Sequence, residues 1–115
     1  MVTSKPAVVR GEVWLVALDP TVGVEIQKTR PCVIVSPPEM HDFLRTVVVA
    51  PMTTGSRPTG FRIPLTFQST PGLVLLDQIR TIDKSRLVKR MGLIQNTTLS
   101  KILLTLQIMF SGIKS

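Results

Sequence analysis

Cysteine, histidine and aromatic residues are scarce in this chain of 115 residues, which has one Cys, one His, one Trp, four Phe and no Tyr. A single cysteine forms no internal disulfide, and with a single histidine it builds no Cys/His zinc site. Cys32 lies in an apolar run over residues 31–35, which predicts a buried, unreactive thiol and fits a reducing compartment. So few rings also disfavour a nucleic-acid surface of stacked aromatic side chains.

Acidic residues are outnumbered two to one. Seven Asp and Glu residues stand against fourteen Lys and Arg residues, so the formal net charge is +7, and every acid lies at or before Asp83. This excess favours a polyanionic or acidic partner, although a basic surface without a partner is the plain alternative. The scattered carboxylates spell out no metal cluster of the kind that metal-dependent nucleases need.

Long hydrophobic runs are also missing. No apolar run reaches the roughly 18 to 20 residues that cross a bilayer, and residues 1–10 lack the apolar core of a signal peptide. We therefore expect a cytoplasmic protein that does not contact a membrane. Hydrophobic residues make up 43% of the chain, enough for one core in a single domain over residues 1–115, with a flexible N-terminus at residues 1–9.

Short apolar runs separated by Gly and Pro predict β-strands in the first part of the chain. The predicted strands are residues 11–18, 30–36, 46–50, 61–65 and 72–80. Pro64 places the fourth strand at a sheet edge. Because the connections are short and contain no helix, we expect a mainly β fold: a small barrel or bent antiparallel sheet of five strands.

The hydrophobic period changes to that of an α-helix near the C-terminus. Asn96, Thr97 and Thr98 offer N-cap oxygens. The predicted apolar face consists of Leu99, Ile102, Leu103, Leu106, Met109, Phe110 and Ile113. Leu104 and Ile108 fall on the polar face, where they are either exposed apolar residues or a contact with a partner or a second copy.

Two connections are longer than usual for a compact β domain, residues 19–29 and residues 52–60, and binding residues concentrate in such loops. Arg30 closes the first connection, whereas Thr53 and Thr54 open the second. A guanidinium and a hydroxyl suit metal-free RNA cleavage, in which the 2′-hydroxyl attacks the adjacent phosphate and charge develops on the phosphoryl oxygens. On the residues alone, the alternative is that Arg30 caps a strand end and Thr53 makes a turn hydrogen bond.

The lone histidine is a weaker candidate. His41 lies among Pro and Asp residues in a segment that predicts a loop or helical turn. We expect a solvated surface side chain there, with a general base as the alternative.

Five motifs, in the same order, resemble the MazF/PemK toxins, which are ribosome-independent mRNA interferases of toxin–antitoxin pairs. They are Arg-Gly-Glu-Val-Trp-Leu-Val at 10–16 with Leu-Asp-Pro at 18–20, Gly-x-Glu at 23–25, Thr-Arg-Pro at 29–31, Val-Ala-Pro-Met-Thr-Thr at 49–54, and Leu-Asp-Gln-Ile-Arg-Thr-Ile-Asp at 76–83. The similarity runs from about residue 10 to residue 112.

The resemblance implies an SH3-like barrel with a C-terminal helix, acting as a homodimer whose RNA groove crosses the subunit interface. It also implies cleavage of single-stranded RNA at a short sequence, without metal or cofactor, leaving a 2′,3′-cyclic phosphate and a 5′-hydroxyl. Arg30 and Thr53 match the catalytic residues of the family, and Asp77 matches an acid with a catalytic part in PemK-like members. Glu25 and Gln78 match positions that help to hold RNA.

Further RNA-binding candidates come from position and charge. Thr54 is adjacent to Thr53 and could bind phosphate, and Gln27 stands one residue later than the Gln of the family motif. Four cations on or beside the long connections could follow phosphates: Lys28, Arg57, Arg62 and Arg80. Leu75 stands where some PemK-like members carry an Arg, which weakens the case for Asp77 as a general base.

The expected partner is an acidic, partly disordered antitoxin that competes for the RNA groove, and the toxin–antitoxin complex is expected to bind operator DNA through the antitoxin. Two alternatives remain open. A CcdB-like gyrase-binding toxin has the same small barrel, but its Trp-Gly-Ile type of ending is not present in residues 111–115. A relic that binds RNA without cleaving it is the other.

Overall fold

The Val-, Ile- and Leu-rich runs form one curled antiparallel sheet in the computed structural model, which describes residues 7–55 and 57–112. The strands in this part of the chain are β1 (Glu12–Ala17), β2 (Thr29–Ile34), β3 (Thr46–Thr53), β4 (Arg62–Phe67), β5 (Thr70–Leu75), β6 (Arg80–Asp83) and β7 (Leu87–Leu93). The helices are α1 (Pro38–His41) and α2 (Asn96–Phe110), with 3-10 turns at Leu76–Gln78 and Lys84–Arg86.

The strands follow the order β4-β5-β3-β2-β1-β7, and β6 pairs with β3 outside this path. The sheet curls at β3, whose beginning pairs with β6, whose middle pairs with β2 and whose last two residues pair with β5. The predicted fold class, a mainly β SH3-like barrel of bent antiparallel sheet with a C-terminal helix, is confirmed as a curled half-barrel.

The number of strands differs from the prediction of five. The run predicted over residues 72–80 breaks at Leu76–Gln78, so that β5 and β6 are separate strands. β7 was not predicted, because it is an edge strand whose residues Val88, Lys89 and Arg90 are all exposed and show no alternation. The edge position predicted for Pro64 is confirmed, since β4 ends the order.

The core lies on both faces of the strands. In β2, Cys32 and Ile34 belong to one buried cluster, and Val33 belongs to the other. Alternate residues therefore pack on opposite faces, which explains the nearly unbroken apolar runs in the sequence. The burial predicted for Cys32 is confirmed: its side chain is fully buried, and burial raises the pKa of the thiol to about 12.

Helix α2 packs on the cluster that contains Val33 through Leu99, Ile102, Leu106 and Met109. Two predictions about this helix are wrong. Gln95 holds the N-cap position without a side-chain cap, and Phe110, the last helical residue, is 71% exposed and belongs to neither cluster.

Leu104 and Ile108 are each 58% exposed, as both interpretations of that pair require.

Ile113 and residues 1–6 of the N-terminus predicted to be flexible lie outside the described residues. No helix in the described part of the chain is both long and apolar enough to cross a bilayer.

His41 is buried, so its prediction as a solvated side chain is wrong. Its Nε2 lies 2.9 Å from the Val8 carbonyl oxygen, and its Nδ1 lies 2.9 Å from Ser36 Oγ. Because a carbonyl only accepts, Nε2 carries a proton, and in the neutral ring Nδ1 then accepts from Ser36. Ser36 Oγ in turn accepts from the Val48 N–H at 3.1 Å, and the buried Lys84 ammonium donates to the His41 carbonyl. Because polar residues neighbour His41 in the sequence, the sequence did not indicate that its ring is buried.

Gly72 lets β5 approach β3 closely. A Cβ atom at Gly72 would lie 2.7 Å from the Thr53 carbonyl oxygen, closer than any ordinary contact. Thr53 pairs with Leu73 in this ladder. The absence of a side chain at position 72 therefore allows the backbone of Thr53 to lie this close to β5.

Replacing His41 by Ala should lower the free energy of unfolding by about 2–4 kcal/mol, because it leaves a cavity and unpaired polar atoms at Val8 and Ser36. Urea denaturation measures the change. Glu39→Ala in the same short helix, at an exposed position, is the control. A loss no larger than that of the control would contradict the role assigned to His41.

Replacing Gly72 by Ala should lower the free energy of unfolding by about 1–3 kcal/mol, since the new methyl group pushes β5 away from Thr53. Gly60→Ala is a matched control, because a Cβ atom there has no neighbour within 4 Å. Thermal melts of the two variants measure the difference. Equal melting temperatures would show that the β3–β5 approach tolerates a side chain.

Candidate functional site

The antiparallel register of β2 and β3 brings Arg30 and Thr53 together. Cys32 and Pro51 form the last pair of this ladder, and Arg30 and Thr53 each lie two residues beyond it. Both side chains line one cleft of about 230 Å³, which we call the Arg30 cleft. It is lined by Arg30, Pro31, Met52, Thr53, Thr54, Phe67, Gln68, Thr70, Pro71, Gly72 and Met91.

The guanidinium of Arg30 is held at one end only. Its Nε donates to the Gln27 carbonyl oxygen at 3.1 Å, and its terminal nitrogens make no hydrogen bond to the described residues. The Thr53 hydroxyl donates to the Thr54 carbonyl oxygen over 3.3 Å, a long and weak bond. The cleft thus presents a fixed cation and a loosely held hydroxyl, the groups that stabilise charge on a phosphate.

A second cleft of about 380 Å³, the Asp77 cleft, adjoins the first across β3, since Pro51 lines it while Met52 and Thr53 line the Arg30 cleft. The Asp77 cleft is lined by Val24, Glu25, Ile26, Pro51, Arg62, Asp77, Gln78, Ile79 and Arg80. Five residues predicted from the sequence therefore meet there: Glu25, Arg62, Asp77, Gln78 and Arg80.

Hydrogen bonds tie the long connection at residues 19–29 to the walls of the Asp77 cleft. Gln78 Oε1 accepts from the Ile26 N–H at 2.8 Å, which leaves the amide nitrogen of Gln78 as the donor available to a ligand. Arg80 Nη1 donates to the Leu18 carbonyl oxygen at 3.2 Å. Glu25 folds back on its own loop, where its Oε1 accepts from the Val22 N–H at 2.6 Å.

Arg62 and Asp77 form a two-bond ion pair in this cleft. Arg62 Nε lies 3.1 Å from Asp77 Oδ1, and Arg62 Nη2 lies 2.9 Å from Asp77 Oδ2. The hydrogen bonds from Arg62 lower the pKa of the Asp77 carboxyl, and the same bonds raise the pKa of Arg62. A carboxylate with a lowered pKa is a weaker base, so the pair suits charge recognition better than proton abstraction.

Three predicted RNA-binding residues line neither cleft. Gln27 contributes its backbone carbonyl to Arg30, Lys28 adopts a positive φ of 69° with its N–H bonded to Asp19, and Arg57 is exposed on its loop. Phe67, Gln68 and Met91 were not predicted at all, although they line the Arg30 cleft. They come from the end of β4, the β4–β5 turn and β7, and they carry no local motif.

Known proteins resemble this chain over most of its length. Residues 9–110 match the family model described as PemK-like, MazF-like toxin of type II toxin–antitoxin system. The chain is 42% identical over 109 residues to the endoribonuclease PemK of Escherichia coli, covering 90% of this chain and 82% of that protein. It is 30% identical over 101 residues to the endoribonuclease MazF of Staphylococcus epidermidis, covering 81% and 82%.

Solved structures share the fold. An endoribonuclease in complex with its cognate antitoxin from a mycobacterial species superposes with a TM-score of 0.78 at 24% identity, covering 95% of this chain and all (100%) of that one. MazF from Deinococcus radiodurans gives a TM-score of 0.79 at 21% identity, covering 90% and 96%. The resemblance in sequence motifs is thereby confirmed, and the chain belongs to the family of PemK-like, MazF-like toxins of type II toxin–antitoxin systems.

Proposed function

We propose that this toxin is a sequence-specific endoribonuclease that cleaves single-stranded mRNA independently of the ribosome and of metal ions. The observation that carries the proposal is the meeting of Arg30 and Thr53 in one cleft, through the register of β2 and β3. The curated relatives of 42% and 30% identity are both named endoribonucleases, which supports the same activity here.

The proposed reaction is an internal transfer. The 2′-hydroxyl oxygen attacks the adjacent phosphorus and gives up its proton to water, the bond from phosphorus to the 5′-oxygen breaks, and the 5′-oxygen takes up a proton from water. The products are a 2′,3′-cyclic phosphate and a 5′-hydroxyl. Arg30 stabilises the charge that develops on the phosphoryl oxygens, and the Thr53 hydroxyl donates to the same group. Because a guanidinium is not deprotonated in proteins, Arg30 holds charge and accepts no proton. Thr54, on the same cleft wall, is a further phosphate ligand.

The RNA strand is proposed to run across both clefts. Glu25, Gln78 and Arg80 face it in the Asp77 cleft, which gives room for bases on one side of the cut. Gln27, Lys28 and Arg57 lie on the two long connections, where the cations attract the strand from outside the clefts. Contacts over several nucleotides provide the sequence selectivity.

The proposed assembly is a cytoplasmic homodimer that an acidic, partly disordered antitoxin inhibits by occupying the RNA groove. Solved structures with this fold include an endoribonuclease bound to its cognate antitoxin and MazE–MazF of Deinococcus radiodurans, which supports such a partner. The charge of +7 favours an acidic inhibitor. Binding of the complex to operator DNA would then go through the antitoxin.

Purified toxin in excess EDTA should cut a long single-stranded RNA at discrete sites, and Arg30→Ala or Thr53→Ala should lower the rate by about 10²–10³-fold. Mapping of the 5′ ends locates the cuts and identifies the target sequence. Arg45→Ala is the control, because it removes the same charge at an exposed position that lines neither cleft.

Intact RNA, once a copurified antitoxin has been removed, would refute ribonuclease activity. It would favour the gyrase-binding toxin or the RNA-binding relic instead.

Removing the acidic tail of the cognate antitoxin should abolish inhibition of cleavage, because the tail competes with RNA for a basic toxin. Cleavage assays with full-length and truncated antitoxin measure this, with a tail of scrambled sequence and equal charge as the control. Full inhibition by the truncated antitoxin would place its binding site elsewhere.

A further inference from the structure

The Arg62–Asp77 ion pair has no part in the chemistry assigned to Arg30 and Thr53, yet it lies in the wall of the adjoining cleft. The two side chains are 28% and 41% exposed. Ion pairs this accessible to water contribute little to folding, since solvent screens them and two long side chains lose freedom. A stabilising role therefore does not account for its two-bond geometry.

The two-bond geometry does explain how the guanidinium of Arg62 is oriented. Asp77 accepts hydrogen bonds from Nε and Nη2 of Arg62, and these two bonds occupy one edge of the planar guanidinium. Nη1 makes no hydrogen bond to the described residues, so the outer edge of the group remains open to a second acceptor. A guanidinium held along one edge presents the other in a fixed direction, as recognition of a phosphate requires.

The backbone holds both partners in place. Arg62 faces Leu75 in the β4–β5 ladder, and the Leu76 N–H donates to the Phe61 carbonyl oxygen at 2.9 Å. Strand β4 and the 3-10 turn that carries Asp77 are thus joined by main-chain bonds immediately beside the ion pair.

We propose that Arg62 binds a phosphate of the RNA strand beside the cleavage site, and that Asp77 is the positioning residue that holds its guanidinium rather than the general base. This inference rests on the proposed function only in taking RNA as the ligand. Both oxygens of Asp77 are engaged by Arg62, and the lowered pKa of its carboxyl agrees with a group that stays ionised.

The test is a double-mutant cycle of Arg62→Ala, Asp77→Ala and the double variant, in which RNA binding and cleavage are both measured. The binding probe is RNA of the mapped target sequence with 2′-O-methyl groups, which the toxin cannot cleave. Asp77→Ala removes a negative charge, so electrostatics alone predicts tighter binding. The positioning role predicts the opposite.

Each single variant should bind the probe about tenfold more weakly than wild type, and the double variant should be no more than about twofold weaker than Arg62→Ala. The slope of log affinity against log salt should fall by about one unit in Arg62→Ala. Arg62→Lys should recover little, because an ammonium lacks the two-bond fork. Arg45→Ala controls for the loss of one positive charge, and melting curves should match wild type.

Tighter binding by Asp77→Ala would overturn the positioning role. A further tenfold fall in cleavage on adding Asp77→Ala to Arg62→Ala, with loss of the acidic limb of the pH–rate profile, would make Asp77 the general base and overturn it too. A loss confined to certain target sequences would assign Arg62 to a base instead of a phosphate.

If wild type cleaves no RNA, the proposed function fails, and single-stranded RNA of random sequence with 2′-O-methyl groups serves as the probe with which the cycle still decides the role of the pair. If wild type does not bind the probe, the inference fails as well.

Discussion

The pairing of β3 is the constraint on which the rest of the structure depends. This strand pairs in turn with β6, β2 and β5 along its length, so three parts of the chain take their positions from it. Its last residues line both clefts, Pro51 the Asp77 cleft and Met52 and Thr53 the Arg30 cleft. A slip of one residue would turn each of these side chains to the opposite face. The register of β3 therefore determines both the packing of the core and the geometry of the site.

Charge acts at two levels in this molecule. The Asp77 cleft is balanced, because Arg62 and Arg80 are matched there by Glu25 and Asp77. The excess of +7 therefore lies outside this cleft, where it raises the encounter rate with polyanions without regard to sequence. Inside the cleft, oriented donors such as the amide of Gln78 are suited to discriminate between bases. In the proposed function, attraction and selection are thus carried by different residues.

The sequence predicted the fold class, because it depends on apolar runs that are visible locally. Short motifs singled out Arg30 and Thr53 as candidates, whereas their place in one cleft comes from the fold. The sequence missed β7 and the burial of His41, since an edge strand shows no alternation and the ring of His41 is buried by Val8 and Ser36, which no local pattern brings to it. The contact of Arg62 with Asp77 was hidden for a related reason. It needs the break at Leu76–Gln78, which an almost continuous apolar run conceals.

Because Cys32 is buried, the reaction of its thiol with a reagent reports when the sheet opens around β2. The thiol is the only one in the sequence, it lies in the middle strand of three, and its pKa of about 12 leaves almost no thiolate at neutral pH. An alkylating reagent therefore reacts only when β2 separates from its neighbours. The rate of alkylation then measures how often the strand that carries Arg30 opens, in the free toxin or with RNA or antitoxin bound, without any introduced label.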